Sequence, residues 1–221
     1  MSTRPREIYY LENVLRQDTW FTVSNELSRT GWQWGRVTNP DVWDEDSNIF
    51  WQSDLTMHPW ASEIAFYEIL NQLQTKYPQT AEYSFKMQSA IAGGKTFGLD
   101  GGIHTDKDVE FNDMGDGYMT FCFFPNKEWN PEWGGEFQFF DDNGNVIATY
   151  YPMPNTCLVF DSIIPHRGLA PGRNCKHLRM YISYKTFVSK KWYLEANPDV
   201  QHIEVSGDEP ADNEISEDSA E

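Results

Sequence analysis

Two imidazoles and one carboxylate carry the chemistry that this sequence can do. His104 and Asp106 stand in Gly102-Ile103-His104-Thr105-Asp106, and His166 follows 62 positions later in Ile164-Pro165-His166-Arg167-Gly168. An H-x-D pair with a distant His is the donor set of a facial triad. Such a triad holds Fe(II) on one side and leaves the other side open for a cosubstrate and dioxygen. Residues i and i+2 of a strand project to the same side, so His104 and Asp106 can aim at one metal from adjacent rungs. The third ligand must then come from another strand. An H-x-D pair alone is weak, because an isolated histidine is more often a surface or structural residue.

Support comes from Leu178-Arg179-Met180-Tyr181-Ile182-Ser183-Tyr184, whose β-branched and aromatic content reads as a strand. Arg179, Tyr181 and Ser183 share one face of it. An arginine that points inward needs an anion: its planar donor fork matches a carboxylate, and a nearby hydroxyl adds a donor. The bland alternative places Arg179 on a solvent-facing side.

The stretch from about residue 83 to 187 resembles the 2-oxoglutarate- and Fe(II)-dependent dioxygenases, in their prolyl-4-hydroxylase-like branch. The resemblance rests on His104-Thr105-Asp106, Gly115-Asp116-Gly117, Phe123 to Trp129, Trp133-Gly134-Gly135-Glu136-Phe137, Pro165-His166-Arg167, and Arg179 with Ser183. It implies that His104, Asp106 and His166 bind iron. It implies that Arg179 pairs with the distal carboxylate of 2-oxoglutarate, helped by Ser183. Thr120 and Tyr118, on the strand from Tyr118 to Phe124, would serve the cosubstrate pocket. The implied reaction hydroxylates a C–H bond and releases succinate and CO2, with ascorbate as a reductant. A carboxylate at position 106 favours hydroxylation over halogenation, which needs that position open for halide. The branch points to proline in a protein or peptide. A small metabolite, an amino acid or a sugar nucleotide is the alternative substrate, and a non-catalytic metal-binding cupin module is the alternative class. Two family tyrosines are missing: Phe124 stands at one place, and Ile91 and Ala92 at the other. Tyr118 and Gln88 are the candidates to replace their hydroxyls.

Composition bounds the remaining readings. With 17 Lys+Arg against 34 Asp+Glu, the formal net charge of −17 disfavours a nucleic-acid partner. Lys185, Lys190 and Lys191 are the basic cluster nearest the last strand. Cys122, Cys157 and Cys175 lack zinc-like spacing, which fits a reducing compartment and a cytoplasmic location. No signal-like or membrane-spanning run is evident, so no membrane partner is expected. Nine Trp and fourteen Phe are read mainly as packing residues, with Trp129 and Trp133 near the mouth of the site. His177 shares parity with Arg179, and Asp108 shares parity with Asp106. His58 reads as a helix-entry residue, and His202 lies near the tail.

Helices come first, over Leu11 to Ser28 and Ala61 to Tyr77, with Ile64, Ile69, Leu70 and Leu73 on one face of the second. Residues 31–54 read as loop. About eight short strands follow, near 83–91, 102–106, 118–124, 135–140, 145–151, 156–160, 166–169 and 178–187, with a hairpin turn at Asp141 to Asn145. The expected fold is α+β and mainly β: a double-stranded β-helix (jelly-roll, cupin-like) core with N-terminal helices packed on one sheet. Residues 1–82 would form the helical cover within the same domain, and 83–195 the catalytic core. Residues 196–221 would form an acidic tail too polar to fold.

Overall fold

The computed structural model describes residues 6–36, 49–107, 109–112 and 115–191. The expected acidic tail and Asp108 lie outside the described residues. Among the described residues, ten strands form two antiparallel sheets. They are β1 (Ile8–Glu12), β2 (Gln33–Arg36), β3 (Phe50–Asp54), β4 (Tyr83–Lys95), β5 (Gly117–Phe124), β6 (Phe137–Phe140), β7 (Val146–Tyr150), β8 (Thr156–Asp161), β9 (His166–Gly168) and β10 (Arg179–Lys190). The large sheet runs β1-β8-β5-β10-β4-β3-β2, and the small sheet runs β7-β6-β9. The two sheets face each other as a jelly roll.

Strand alternation sends side chains to two separate cores. On the outer face of the large sheet, Phe121, Phe123, Val159, Ile182 and Tyr184 are buried with helical residues such as Val23, Leu27, Phe66, Ile69 and Leu73. Those residues belong to α1 (Gln17–Leu27) and α2 (Phe66–Lys76). Between the sheets, Cys122, Phe124, Leu158 and Phe160 meet Phe137 and Phe139. The site opens on that inner side.

Three local differences from the sequence reading have physical causes. Ile8 to Glu12 is a strand, so the helix expected from Leu11 starts only at Gln17; Tyr9 and Leu11 fill the outer core while Ile8 and Tyr10 face the inner one. A strand covered on both faces shows no polar alternation to read. The segment read as loop supplies β2 and β3, whose polar, Trp-rich residues extend the sheet through the ladder from Trp51–Asp54 to Gly94–Ile91 of β4. The second helix begins as a π-helical segment, Trp60–Ala65. Its wider turn shifts the phase, so Ile64 is 51% exposed while Ile69 and Leu73 are fully buried.

β4 runs past the expected end at residue 91 and takes in Gly93 and Gly94. Gly93 pairs with Tyr181 across β4 and β10. A Cβ on Gly93 would lie 2.0 Å from the Tyr181 ring, so only glycine lets that ring lie flat on the sheet. A register shift between Lys185 and Thr186 leaves Gln88 as the extra residue of β4. The bulge keeps apolar residues on the helical side, with Phe85 before it and Ala90 and Ala92 after it.

Candidate active site

The triad forms where an irregular segment meets the small sheet. His104 and His166 exchange backbone hydrogen bonds, His104 N–H to His166 O at 3.1 Å and His166 N–H to His104 O at 2.9 Å. Asp106 N–H is held by Ser162 O at 2.9 Å. The expected strand at 102–106 is thus reduced to a single bridge. Each ring places Nδ1 against a carbonyl two residues back, 3.0 Å to Gly102 O for His104 and 2.8 Å to Ile164 O for His166. That contact assigns the proton to Nδ1 and leaves Nε2 as the ligand atom. Nε2 of His104 lies 3.7 Å from Asp106 Oδ1, and Nε2 of His166 lies 3.6 Å from Asp106 Oδ2. All three donor atoms fall within 4.8 Å of one another. Phe137 stacks on His166 with ring centroids 5.3 Å apart, and Phe160 meets it edge-on at 4.7 Å.

Electrostatics prepare these groups for a cation. Burial pushes His166 down to about 4 and lowers His104 as well, so both imidazoles are neutral at pH 7. Burial alone would raise Asp106, but Lys185, then His166 and His104, overcome it and hold the carboxyl well below the usual range. Thr120 Oγ1 donates to Asp106 Oδ2 at 2.6 Å and lies 2.9 Å from Ser162 Oγ. Lys185 Nζ also bonds Oδ2. Oδ2 is therefore saturated by donors, and Oδ1 is left for a metal.

A cavity of about 200 Å³ extends from the triad between the sheets. Asp106 is the one carboxylate among its lining residues, against three cations, Lys95, Arg179 and Lys185. Arg179 is 1% exposed and donates from Nε to Gly135 O at 2.6 Å. Gly135 has φ 77°, and a Cβ there would press on Arg179 Cδ at 3.0 Å. Nη2 of Arg179 is buried without a partner. A buried guanidinium with an unused donor, facing a cavity short of acids, fits a carboxylate ligand. The residues present therefore suit both groups that the motifs imply: Fe(II) at the triad and an oxo-dicarboxylate reaching Arg179.

The sequence expectations divide clearly against this geometry. His104, Asp106, His166, Arg179, Ser183 and Thr120 all line the cavity. Thr120 bonds Asp106 as well as lining the cavity. Tyr118 does not line the cavity: it lies one rung beyond Thr120, with its ring against Phe187 at 5.5 Å and under Lys107 at 5.2 Å. Gln88 sits exposed at the bulge, so neither replaces a family hydroxyl. At Phe124 the aromatic ring is kept, and it offers the Arg179 guanidinium a π face at 5.4 Å. Trp129 and Trp133 also stay out of the cavity. Trp129 is buried and donates to Gly134 O, while Trp133 stacks on His177 at 5.0 Å. His177 pairs with Glu128 at 3.2 Å. Sequence reasoning missed Lys95 and Lys185. Lys185 was readable, since it continues the Arg179-Tyr181-Ser183 face by one rung.

Residues 93–184 match the model of the 2OG-Fe(II) oxygenase superfamily. No curated protein matches the chain. Among solved structures, a Pseudomonas putida prolyl-4-hydroxylase is similar at 15% identity and TM-score 0.53, covering 85% of this chain and 94% of that one. A prolyl hydroxylase from Trichoplax adhaerens, in complex with a hypoxia inducible factor oxygen degradation domain peptide fragment, is similar at 13% identity and TM-score 0.57, with 86% of each chain covered. HygX from Streptomyces hygroscopicus, with nickel, 2-oxoglutarate and hygromycin B bound, is similar at 9% identity and TM-score 0.57, covering 85% and 84%. These likenesses share the jelly-roll fold. The matched segment carries His104, Asp106 and His166 together with Arg179 and Ser183, and over that segment the chain is similar to the 2OG-Fe(II) oxygenase superfamily.

Proposed function

We propose that this oxygenase hydroxylates proline in a protein or peptide, with Fe(II) held by His104, Asp106 and His166. The observation that carries the cosubstrate assignment is the partnerless Nη2 of Arg179 in a cavity that ends at the triad. When bound, iron and 2-oxoglutarate supply the oxidising chemistry, consuming dioxygen and releasing succinate and CO2. The protein's residues do the positioning. Thr120 and Lys185 fix Asp106 through Oδ2, and the Gly102 and Ile164 carbonyls orient the imidazoles. Arg179 and Ser183 receive the far carboxylate. Phe137 and Phe160 shield the His166 side from water. Asp106 occupies the position that a halogenase leaves open, which supports hydroxylation.

The prolyl preference rests on the motifs and on the fold shared with two prolyl hydroxylases. A second reading, a small-molecule hydroxylase, draws on Phe124 standing in place of the branch's tyrosine and on the same fold enclosing hygromycin B in HygX. Ascorbate is proposed as the reductant that keeps iron ferrous. Three free cysteines support a reducing, cytoplasmic setting. Among the described residues no helix is long and apolar enough to cross a membrane.

The discriminating experiment incubates the Fe(II)-loaded protein, 2-oxoglutarate and ascorbate with proline-containing peptides or with a panel of amino acids and sugars. Mass spectrometry then follows the gain of one oxygen atom. Oxygen gained on peptidyl proline supports the proposal. Oxygen gained only on a free small molecule would overturn the prolyl reading.

A further inference from the structure

Lys95 lies deep in the same cavity, and none of the motifs includes it. It is directly opposite Arg179 in the antiparallel pairing of β4 and β10, and both side chains line one wall. Lys95 is 3% exposed. Burial, and then the neighbouring Arg179 charge, push it down to about 7. Asp100 acts in the opposite sense but more weakly, and its carboxylate already accepts Ala170 N–H at 2.7 Å. Nζ gives one of its three hydrogens to Leu99 O at 3.1 Å.

Two like charges side by side in a low-dielectric wall raise each other's energy unless an anion lies between them. The cavity that both cations line leaves room for one, and the two heads pack against glycine backbone on their other side. Added Cβ atoms on Gly101 and Gly168 would sit 3.3 Å from Lys95 Nζ and 3.4 Å from Arg179 Nη2. Gly101 N–H bonds Gly168 O at 2.9 Å, so both cationic heads border one patch without side chains. The bland role for Lys95 is to tie down the turn at Leu99. That role uses one donor and does not explain why a second cation was placed beside Arg179.

We propose that Lys95 and Arg179 together seat the far carboxylate of the cosubstrate, making the site selective for a 2-oxo dicarboxylate over a 2-oxo monocarboxylate. The inference rests on the reading that 2-oxoglutarate occupies this cavity.

The test is calorimetric titration of the full-length, Fe(II)-loaded protein under argon with 2-oxoglutarate and, separately, with pyruvate, which lacks the far carboxylate. Wild type, Lys95→Met, Lys95→Gln and Arg179→Met are compared. A charged hydrogen bond predicts a loss of about 10- to 100-fold in 2-oxoglutarate affinity for both Lys95 variants. Pyruvate affinity should stay within about twofold, which also reports an intact fold and metal site. If Arg179→Met loses the dicarboxylate preference while both Lys95 variants keep it, the inference fails and the cosubstrate reading stands. If wild type shows no preference for 2-oxoglutarate over pyruvate, the cosubstrate reading fails, and the inference fails with it.

Discussion

Removing Lys95 should make the metal-free, anion-free protein more stable, although it weakens cosubstrate binding. The ammonium falls from 10.5 to about 7 on folding, chiefly through burial and then through Arg179. At about 1.4 kcal/mol per pH unit, that difference costs the folded state roughly 5 kcal/mol wherever both states are protonated. The sign follows from proton binding. Between pH 7 and 10.5 the unfolded chain holds the proton and the folded chain releases it, so stability rises with pH. The cost is therefore full below about pH 7 and fades toward pH 10.5. Lys95→Met keeps most of the side-chain volume and removes the charge. It also gives up the Leu99 hydrogen bond, worth about 1 kcal/mol. The expected net gain is roughly 3–4 kcal/mol at pH 6, shrinking by about 2–3 kcal/mol by pH 9. Urea unfolding of the chelator-treated protein in phosphate-free buffer at several pH values measures it. A variant no more stable than wild type at pH 6, or a gain independent of pH, would refute the reasoning.

Other perturbations act at separate points. Thr120→Val removes the 2.6 Å bond to Asp106 Oδ2, and supporting contacts of this kind are worth about 10- to 100-fold in metal affinity. Competition with a metal-sensing dye reads that loss. Gly93→Ala drives a methyl group into the Tyr181 ring and should cost about 1–3 kcal/mol of stability, measured by denaturant unfolding. Arg179→Met should raise the 2-oxoglutarate requirement by about 100-fold or more while leaving iron content unchanged, as metal analysis and a succinate assay would show.

How much of this was readable before the structure depended on where each residue sits. The triad was legible from residue types and spacing, since a third residue on another element makes a long gap natural; backbone bonds to His166 and Ser162, not strand periodicity, place His104 and Asp106. Arg179 and Ser183 were legible from the parity of one well-formed strand. Lys95 was hidden because the expected strand stops near residue 91, whereas pairing of Gly93 and Gly94 with β10 on one side and β3 on the other carries β4 on to Lys95. The strand at Ile8–Glu12 was hidden for the opposite reason, since both of its faces are covered. The exposed position of Ile64 needed the π-helical phase shift, for which the local sequence carries no marker. Tyr118 had the right parity but the wrong rung: the cavity ends at Thr120, a limit set by the third dimension.

The most direct measurement is succinate formation by the purified full-length protein given Fe(II), ascorbate and 2-oxoglutarate, under air and under argon, for wild type and Asp106→Ala. The account predicts succinate from wild type in air, little under argon, and none from Asp106→Ala, which leaves iron only two ligands. No succinate in air, together with no 2-oxoglutarate binding to the iron-loaded protein, would contradict it.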